Sequence, residues 1–94
     1  MELDELRRQI DAVDQKLVSL LNERARLVEE VGKLKKLLGM EIYLPEREKE
    51  ILQLAAAANG GPFSSAAISR LFERILDESR SLERKIATGT GGKA

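Results

Sequence analysis

The charged residues best suited to chemistry stand where a helix would otherwise carry apolar side chains. Arg24 interrupts a regular apolar series between Leu20 and Leu27. Lys35 follows eleven residues later, which at about 100° per residue returns it to within roughly 20° of Arg24 on the same helix face. Arginine binds carboxylates through two parallel hydrogen bonds, and clustered cations in an apolar setting call for an anion. The pattern therefore predicts a site for a carboxylate-bearing ligand.

Arg7 is a third cation beside the same apolar series, near its beginning. It stands about 42 Å from Lys35 along a continuous helix, so no small molecule touches both residues within one chain. If two such helices pair antiparallel and cross at their midpoints, residue i of one faces about residue 41 − i of the other. The partner's Arg7 would then lie beside Lys35, and three cations would converge at each of two sites.

Polar groups also fall on the apolar faces of the later segments. Ser79 lies about 20° from the middle of an apolar stripe, and Glu83 follows it one helical turn later. A buried carboxylate such as this one must be paired or protonated. Glu48 shares a face with the apolar residues of a second helix, and Arg47 precedes it.

Each of these residues also has a plainer interpretation. Arg24 is then a polar residue that sets the register of a coiled coil or extends to its edge. Ser79 is a small residue that permits close helix packing, and Glu83 forms a salt bridge with a neighbouring cation. Arg47 is a surface residue. Only the combination of all these positions favours a shared binding site.

One long helix must carry Arg7, Arg24 and Lys35. Apolar residues alternate at spacings of three and four for about five heptads, which is typical of the a/d positions of a coiled coil. These positions, called the seam below, are Leu3, Leu6, Ile10, Val13, Leu17, Leu20, Leu27, Val31, Leu34 and Leu38. Gly39 is expected to end the helix.

Two shorter helices are expected after the first. Pro45 suits the first position of a second helix that ends near Ala58, before the sequence Asn-Gly-Gly-Pro. Ser64 is expected to cap a third helix that continues to about Ile86. Residues 88–94 are rich in glycine and are expected to form a flexible tail, which leaves residues 1–87 as one domain. With no strand pattern, the predicted fold class is all-α.

The predicted first helix is too long for the rest of the chain to cover. About 36 residues form a rod of roughly 54 Å, whereas a compact domain of this size has a radius of gyration of about 12–13 Å. A second copy of the chain is the natural cover, and two-fold symmetry is the commonest arrangement. We therefore expect an intertwined homodimer.

Composition excludes several classes of function. The 94 residues include sixteen basic and sixteen acidic side chains and neither Cys nor His, which excludes thiol nucleophiles, Ser-His-Asp triads and the usual zinc ligands. The neutral balance argues against nucleic-acid binding, and no apolar run reaches the roughly 20 residues of a membrane span. The acidic beginning is unlike a signal peptide. We expect a cytoplasmic protein without metal or cofactor.

In their order and spacing, these residues resemble the all-helical chorismate mutases. The matching residues are Leu6 to Asp14, Glu23 and Arg24, Val31 to Lys35, Pro45 to Glu48, and Ile68, Leu71, Phe72, Ser79 and Glu83. The resemblance covers nearly the whole chain. Members of this family are intertwined helical dimers that rearrange chorismate to prephenate, on the way to phenylalanine and tyrosine, without a metal or cofactor.

The resemblance implies a role for three cations of the first helix, Arg7, Arg24 and Lys35. Arg7 of one protomer and Arg24 of the other would bind the substrate's carboxylates. Lys35 would reach a carboxylate and the ether oxygen of the breaking bond, and Glu83 would face the same oxygen. Since Glu83 must be protonated to donate there, the resemblance also implies that activity falls as pH rises.

The resemblance further implies that Glu48 accepts a hydrogen bond from the ring hydroxyl and that Ser79 supports a carboxylate. Arg47 would support Glu48 and the anion site. One position departs from the family, which often has Asp where this chain has Leu44. If the family uses the side chain there, hydroxyl binding or the helix cap is weaker in this chain; if it uses the backbone N–H, little changes.

A Claisen rearrangement suits the composition, because it is unimolecular and needs no nucleophile or general base. Conformational restraint and preorganised charge supply the catalysis. Three other functions stay open. An isochorismate-pyruvate lyase would bind a similar dianion, and a non-catalytic helical dimer would serve as a regulatory module of a larger shikimate-pathway enzyme. A plain antiparallel coiled-coil adaptor would not need Arg24 in its seam.

Overall fold

The computed structural model describes residues 2–89, and these form three helices joined by two short connections. The helices are α1 (Leu3–Leu38), α2 (Pro45–Ala58) and α3 (Ser65–Ala87). No strand occurs among the described residues, and the all-α prediction is confirmed. Most of the predicted glycine-rich tail, residues 90–94, lies outside the described part of the chain.

The helix ends follow from local sequence signals. α1 ends at Gly39, which adopts the left-handed conformation with φ 68° and ψ 30°, where a Cβ would be unfavourable. The N–H of Met40 then donates to the carbonyl oxygen of Lys35 at 2.9 Å. At the beginning of α3, the hydroxyl of Ser64 accepts from the N–H of Ala67 at 3.0 Å. Both predicted helix boundaries are confirmed.

α3 is the element that joins the others, because it packs against both α1 and α2. Among the described residues, Leu76 of α3 is the one buried large apolar side chain. α1 and α3 approach closely at Gly32. A Cβ built on that glycine would lie 3.4 Å from Cδ1 of Ile86 and 3.5 Å from Cγ of Glu83. The missing side chain thus lets α3 approach α1 at Glu83.

Most residues of α1 are exposed in the single chain. The described residues extend over 54 × 31 × 14 Å with a radius of gyration of 16.3 Å, larger than the roughly 12–13 Å of a compact domain of this length. The seam residues Leu3, Leu20 and Leu27 are 60%, 61% and 64% exposed. A continuous apolar surface of this kind marks an interaction site.

No helix among residues 2–89 is both long and apolar enough to span a membrane.

Candidate active site

A cavity of about 250 Å³ lies where α1, the connection to α2, α2 and α3 meet. Six charged side chains line it: Arg24, Lys35, Arg47, Glu48, Arg80 and Glu83. Four of these are cationic and two are acidic, so two positive charges are in excess. Ser79 also lines the cavity. The fold thus brings six of the seven residues singled out from the sequence to one place, and their roles towards a ligand stay predictions.

Lys35 of α1 and Glu83 of α3 form an ion pair at one end of this cavity. Nζ of Lys35 lies 2.8 Å from Oε1 of Glu83 and donates to the carbonyl oxygen of Ile42 at 2.8 Å. The two side chains are only 13% and 10% exposed. Oε1 of Glu83 is buried and has no aligned hydrogen-bond donor among the described residues. Glu83 therefore contacts Lys35 as an ion pair, and its Oε1 can still accept a hydrogen bond.

Arg24 reaches from α1 to α3 on the neighbouring wall. Nη1 of Arg24 donates to the hydroxyl of Ser79 at 2.7 Å, and that hydroxyl donates to the carbonyl oxygen of Ile75 at 2.8 Å. Burial lowers the pKa of the Arg24 guanidinium below its usual value, and the positive charge of Arg47 lowers it further. The fold therefore holds a partly desolvated cation next to a second one, and a bound anion would relieve the cost of both effects.

Glu48 of α2 pairs with a residue that the sequence analysis did not single out. Oε2 of Glu48 lies 3.1 Å from Nε of Arg80, and both side chains are 20% exposed. The expectation that Arg47 supports Glu48 is wrong in this structure, because Arg47 pairs instead with Glu50 on the exposed side of α2. The physical reason is helix geometry, since residues three apart are neighbours on a helix surface and adjacent residues are not.

The sequence offered only a weak signal for Arg80. It follows Ser79 directly and stands about 60° from Glu83 around the helix axis, which puts it at the border of the apolar stripe. A cation at such a border is indistinguishable from one on a solvated face until the neighbouring helix is known. The packing of α2 against α3 decides that it lies inside the site.

Leu44 also lines the cavity, at the N-cap position of α2. Its side chain makes no capping hydrogen bond, and Pro45 follows at the start of the helix. The apolar side chain of Leu44 therefore offers no acceptor to the N–H groups of the first turn of α2.

Arg7 is the one predicted site residue that lies elsewhere. It is exposed near the beginning of α1, with Nη1 4.0 Å from Oδ1 of Asp4. Nothing within one chain brings it towards Lys35.

Among residues 2–89, no group of three or more acidic side chains is arranged to hold a metal ion.

Comparison with known proteins gives a consistent result over the same residues. A family model described as chorismate mutase type II matches residues 6–84. The bifunctional chorismate mutase/prephenate dehydratase of Aquifex aeolicus is 40% identical over 89 residues, which are 90% of this chain and 25% of that protein. This chain spans about a quarter of the length of such bifunctional relatives.

Two further relatives match over nearly their whole length. The chorismate mutase of Methanocaldococcus jannaschii is 28% identical over 93 residues, 98% of this chain and 94% of that protein. The structure of chorismate mutase (form II) from Thermus thermophilus superimposes with a TM-score of 0.86 at 41% identity, covering 88% of this chain and 94% of that one. With the family model matching most of the three-helix chain, this chain belongs to the chorismate mutase type II family.

Proposed function

We propose that this chain catalyses the rearrangement of chorismate to prephenate. The observation that carries the proposal is Arg24, a partly buried cation that lines the cavity of about 250 Å³ and has no acidic partner among the described residues. A carboxylate of chorismate would balance this charge, and the volume is close to the lower end of small-ligand pockets, about 300 Å³. The relatives from Aquifex and Thermus, which are 40% and 41% identical, carry chorismate mutase in their names.

The first task of the site is to hold the substrate in its reactive shape. In the reaction the ether C–O bond breaks while a new C–C bond forms within the same molecule, so both ends must meet in a chair-like conformer. Arg24, with Arg47 nearby, binds the carboxylates, and the hydrogen bond from Arg24 to Ser79 fixes the direction of the guanidinium. Restricting a flexible dianion in this way removes an entropic part of the barrier.

The second task is to stabilise the charge that develops on the ether oxygen. Lys35 donates to that oxygen. Glu83, which is the ion-pair partner of Lys35 in the free chain, donates from the other side only in its protonated form. Both groups are largely buried, and in such a site donors act more strongly than in water. Glu48 accepts a hydrogen bond from the ring hydroxyl and thereby orients the ring.

The direct test is to incubate the full 94-residue chain with chorismate and to follow the loss of its ultraviolet absorbance while prephenate is measured. Rapid conversion to prephenate is expected. Release of pyruvate from isochorismate, without formation of prephenate from chorismate, would contradict the proposal and favour the lyase. Binding of chorismate without any turnover would favour a regulatory module. The cytoplasmic location expected from the sequence stays a prediction.

The same proposal includes an intertwined homodimer in which the partner's Arg7 completes each site. Two observations support it. The seam of α1 is largely exposed over a molecule 54 Å long, and Arg7 of the same chain stands about 42 Å along α1 from Lys35. Antiparallel pairing of two α1 helices covers the seam and brings the partner's Arg7 beside Lys35.

Mixing two inactive variants tests the shared site. Chains with Arg7→Met and chains with Arg24→Met are each expected to be inactive, because each site of their homodimers lacks one arginine. After unfolding and refolding together in equal amounts, about half of the dimers are mixed, and each mixed dimer holds one intact site. We therefore expect about one quarter of the wild-type activity to return.

Refolding each variant alone is the control for this experiment and should restore nothing. No recovery in a mixture that sediments as a dimer would contradict the assignment of Arg7 to the partner's site. A sedimentation mass of one chain at micromolar concentration would contradict the dimer itself.

Glu83→Gln is expected to retain activity, because an amide can donate to the ether oxygen in place of a protonated carboxyl group. Initial rates of chorismate consumption test this expectation, with Glu73→Gln on an exposed position of α3 as the matched control. A folded Glu83→Gln variant that is as inactive as Lys35→Met would contradict a donor role for Glu83 at that oxygen.

A further inference from the structure

Arg80 joins three parts of the molecule at the cavity. Its Nε lies 3.1 Å from Oε2 of Glu48 on α2. Its guanidinium carbon lies 5.4 Å from the centre of the Tyr43 ring, which belongs to the connection between α1 and α2. On its own helix it pairs with Asp77. These contacts restrict the conformations of the Arg80 side chain, although it stands at the border of the apolar stripe of α3.

The consequence for Glu48 is a carboxylate held in place by an ion pair, in which Nε of Arg80 has no aligned hydrogen-bond acceptor among the described residues. A glutamate side chain has several rotatable bonds and loses considerable conformational freedom when it is ordered. Of the two cations next to it in sequence, Arg47 is engaged with Glu50 and Lys49 is exposed. Arg80 is thus the group that holds Glu48 at the cavity wall, and it does so from the side of α3, where Ser79 and Glu83 also lie.

We propose that Arg80 is a positioning residue that orients Glu48 towards the substrate's ring hydroxyl and so sets affinity for hydroxylated substrate. The inference rests on the proposed function, since it deepens the role of Glu48 at that site. Arg80 acts through Glu48 and does not contact the bond that breaks. The residues assigned to that bond, Lys35 and Glu83, form a separate ion pair in the cavity.

The kinetic consequence differs from that of losing a group at the ether oxygen. The ring hydroxyl keeps the same contact in the bound substrate and in the transition state, so weakening it affects both equally. For Arg80→Met we expect KM for chorismate to rise about tenfold and kcat to change by less than about threefold. Arg80→Lys, which retains the charge, should recover part of the loss. Arg70→Met, at an exposed position of the same helix, is the control.

A double-mutant cycle separates positioning from a merely structural role. Glu48→Gln alone should raise KM, and adding Arg80→Met to it should raise KM no further, because Arg80 acts through the carboxylate. Additive effects would overturn the proposal, as would a fall in kcat at unchanged KM. If Arg80→Met fails to fold, Asp77→Asn replaces it, which loosens Arg80 without removing it, and the same split between KM and kcat is expected.

Tyr43 provides a readout that does not depend on turnover. The chain has one tyrosine and no tryptophan, so its intrinsic fluorescence reports the surroundings of Tyr43 beside Arg80. The Kd of prephenate, measured by this fluorescence, should rise about tenfold in Arg80→Met and stay unchanged in Arg70→Met. If the wild-type chain turns over chorismate and Arg80→Met leaves KM and Kd unchanged, the role of Arg80 is overturned and the proposed function is not. A wild-type chain without turnover and without binding overturns the proposed function, and the role of Arg80 with it.

Discussion

Replacing Lys35 by methionine is expected to lower kcat/KM for chorismate by about 10³-fold or more. Nζ of Lys35 is the cation held between Glu83 and the carbonyl oxygen of Ile42 at 2.8 Å from each acceptor, and it donates to the ether oxygen in the proposed mechanism. Loss of one preorganised donor typically costs about 10²–10³ in rate, and here a full charge is lost as well. Initial rates of chorismate consumption measure the effect.

The same substitution also affects stability, and this effect must be separated from catalysis. Methionine leaves Glu83 as a carboxylate that is 10% exposed and without its cation, and breaking a buried pair in this way typically costs about 3–5 kcal/mol. The double variant Lys35→Met, Glu83→Gln removes both charges and should unfold at a temperature close to that of the wild type, yet stay inactive. Its activity, compared at equal folded fraction, isolates the catalytic loss.

Lys36→Met is the matched control for Lys35. Lys36 is the next residue on α1, is exposed, and donates to the carbonyl oxygen of Ile86 at 3.3 Å. Its removal should change kcat/KM by less than about threefold, since an exposed contact of this kind contributes little. A folded Lys35→Met variant that retains more than a tenth of the wild-type rate would contradict the role given to Lys35.

Arg24→Met is expected to remove most of the activity without destabilising the fold. Arg24 stands in the apolar seam and donates to Ser79 at 2.7 Å. Burial and the nearby charge of Arg47 lower its pKa, and a base whose pKa is lowered by folding destabilises the fold at every pH at which it is protonated. An apolar side chain of similar length removes this cost, because it carries no charge to be desolvated.

For Arg24→Met we therefore expect kcat/KM to fall by about 10²–10³-fold, because the substrate loses a carboxylate ligand. The unfolding temperature should stay equal to or rise above that of the wild type. Thermal unfolding followed by circular dichroism, together with the chorismate assay, measures both. Arg26→Met, at an exposed position two residues away, is the control. A lower unfolding temperature with retained activity would make Arg24 a structural residue of the seam.

The contrast between these two variants follows from where each cation finds its partner. Lys35 is paired within the protein, so its removal leaves an unpaired carboxylate. Arg24 has a neutral hydroxyl as its partner and a second cation nearby, so the protein itself does not balance its charge. An unbalanced cation at a partly buried position is typical of a site whose counter-ion is the ligand.

The sequence alone determined the helices and their ends. Alternating spacings of three and four, the glycine at position 39, the proline at position 45 and the hydroxyl of Ser64 are all local signals. Each acts within a few residues, and the helix bounds of the structure agree with them. The positions of Arg24, Lys35, Ser79 and Glu83 on helix faces follow from the same periodicity, because the angle between residues on one helix is fixed.

Only the tertiary structure decided which charges meet. Glu48 has a cation beside it in sequence, Arg47, yet it pairs with Arg80, thirty-two positions further along the chain. That choice depends on how closely α2 approaches α3 and on the ring of Tyr43 beneath the guanidinium. Helical periodicity fixes the direction of a side chain from its own axis and carries no information about the neighbouring helix. The partner of each charged group in this cavity is therefore set by packing between helices.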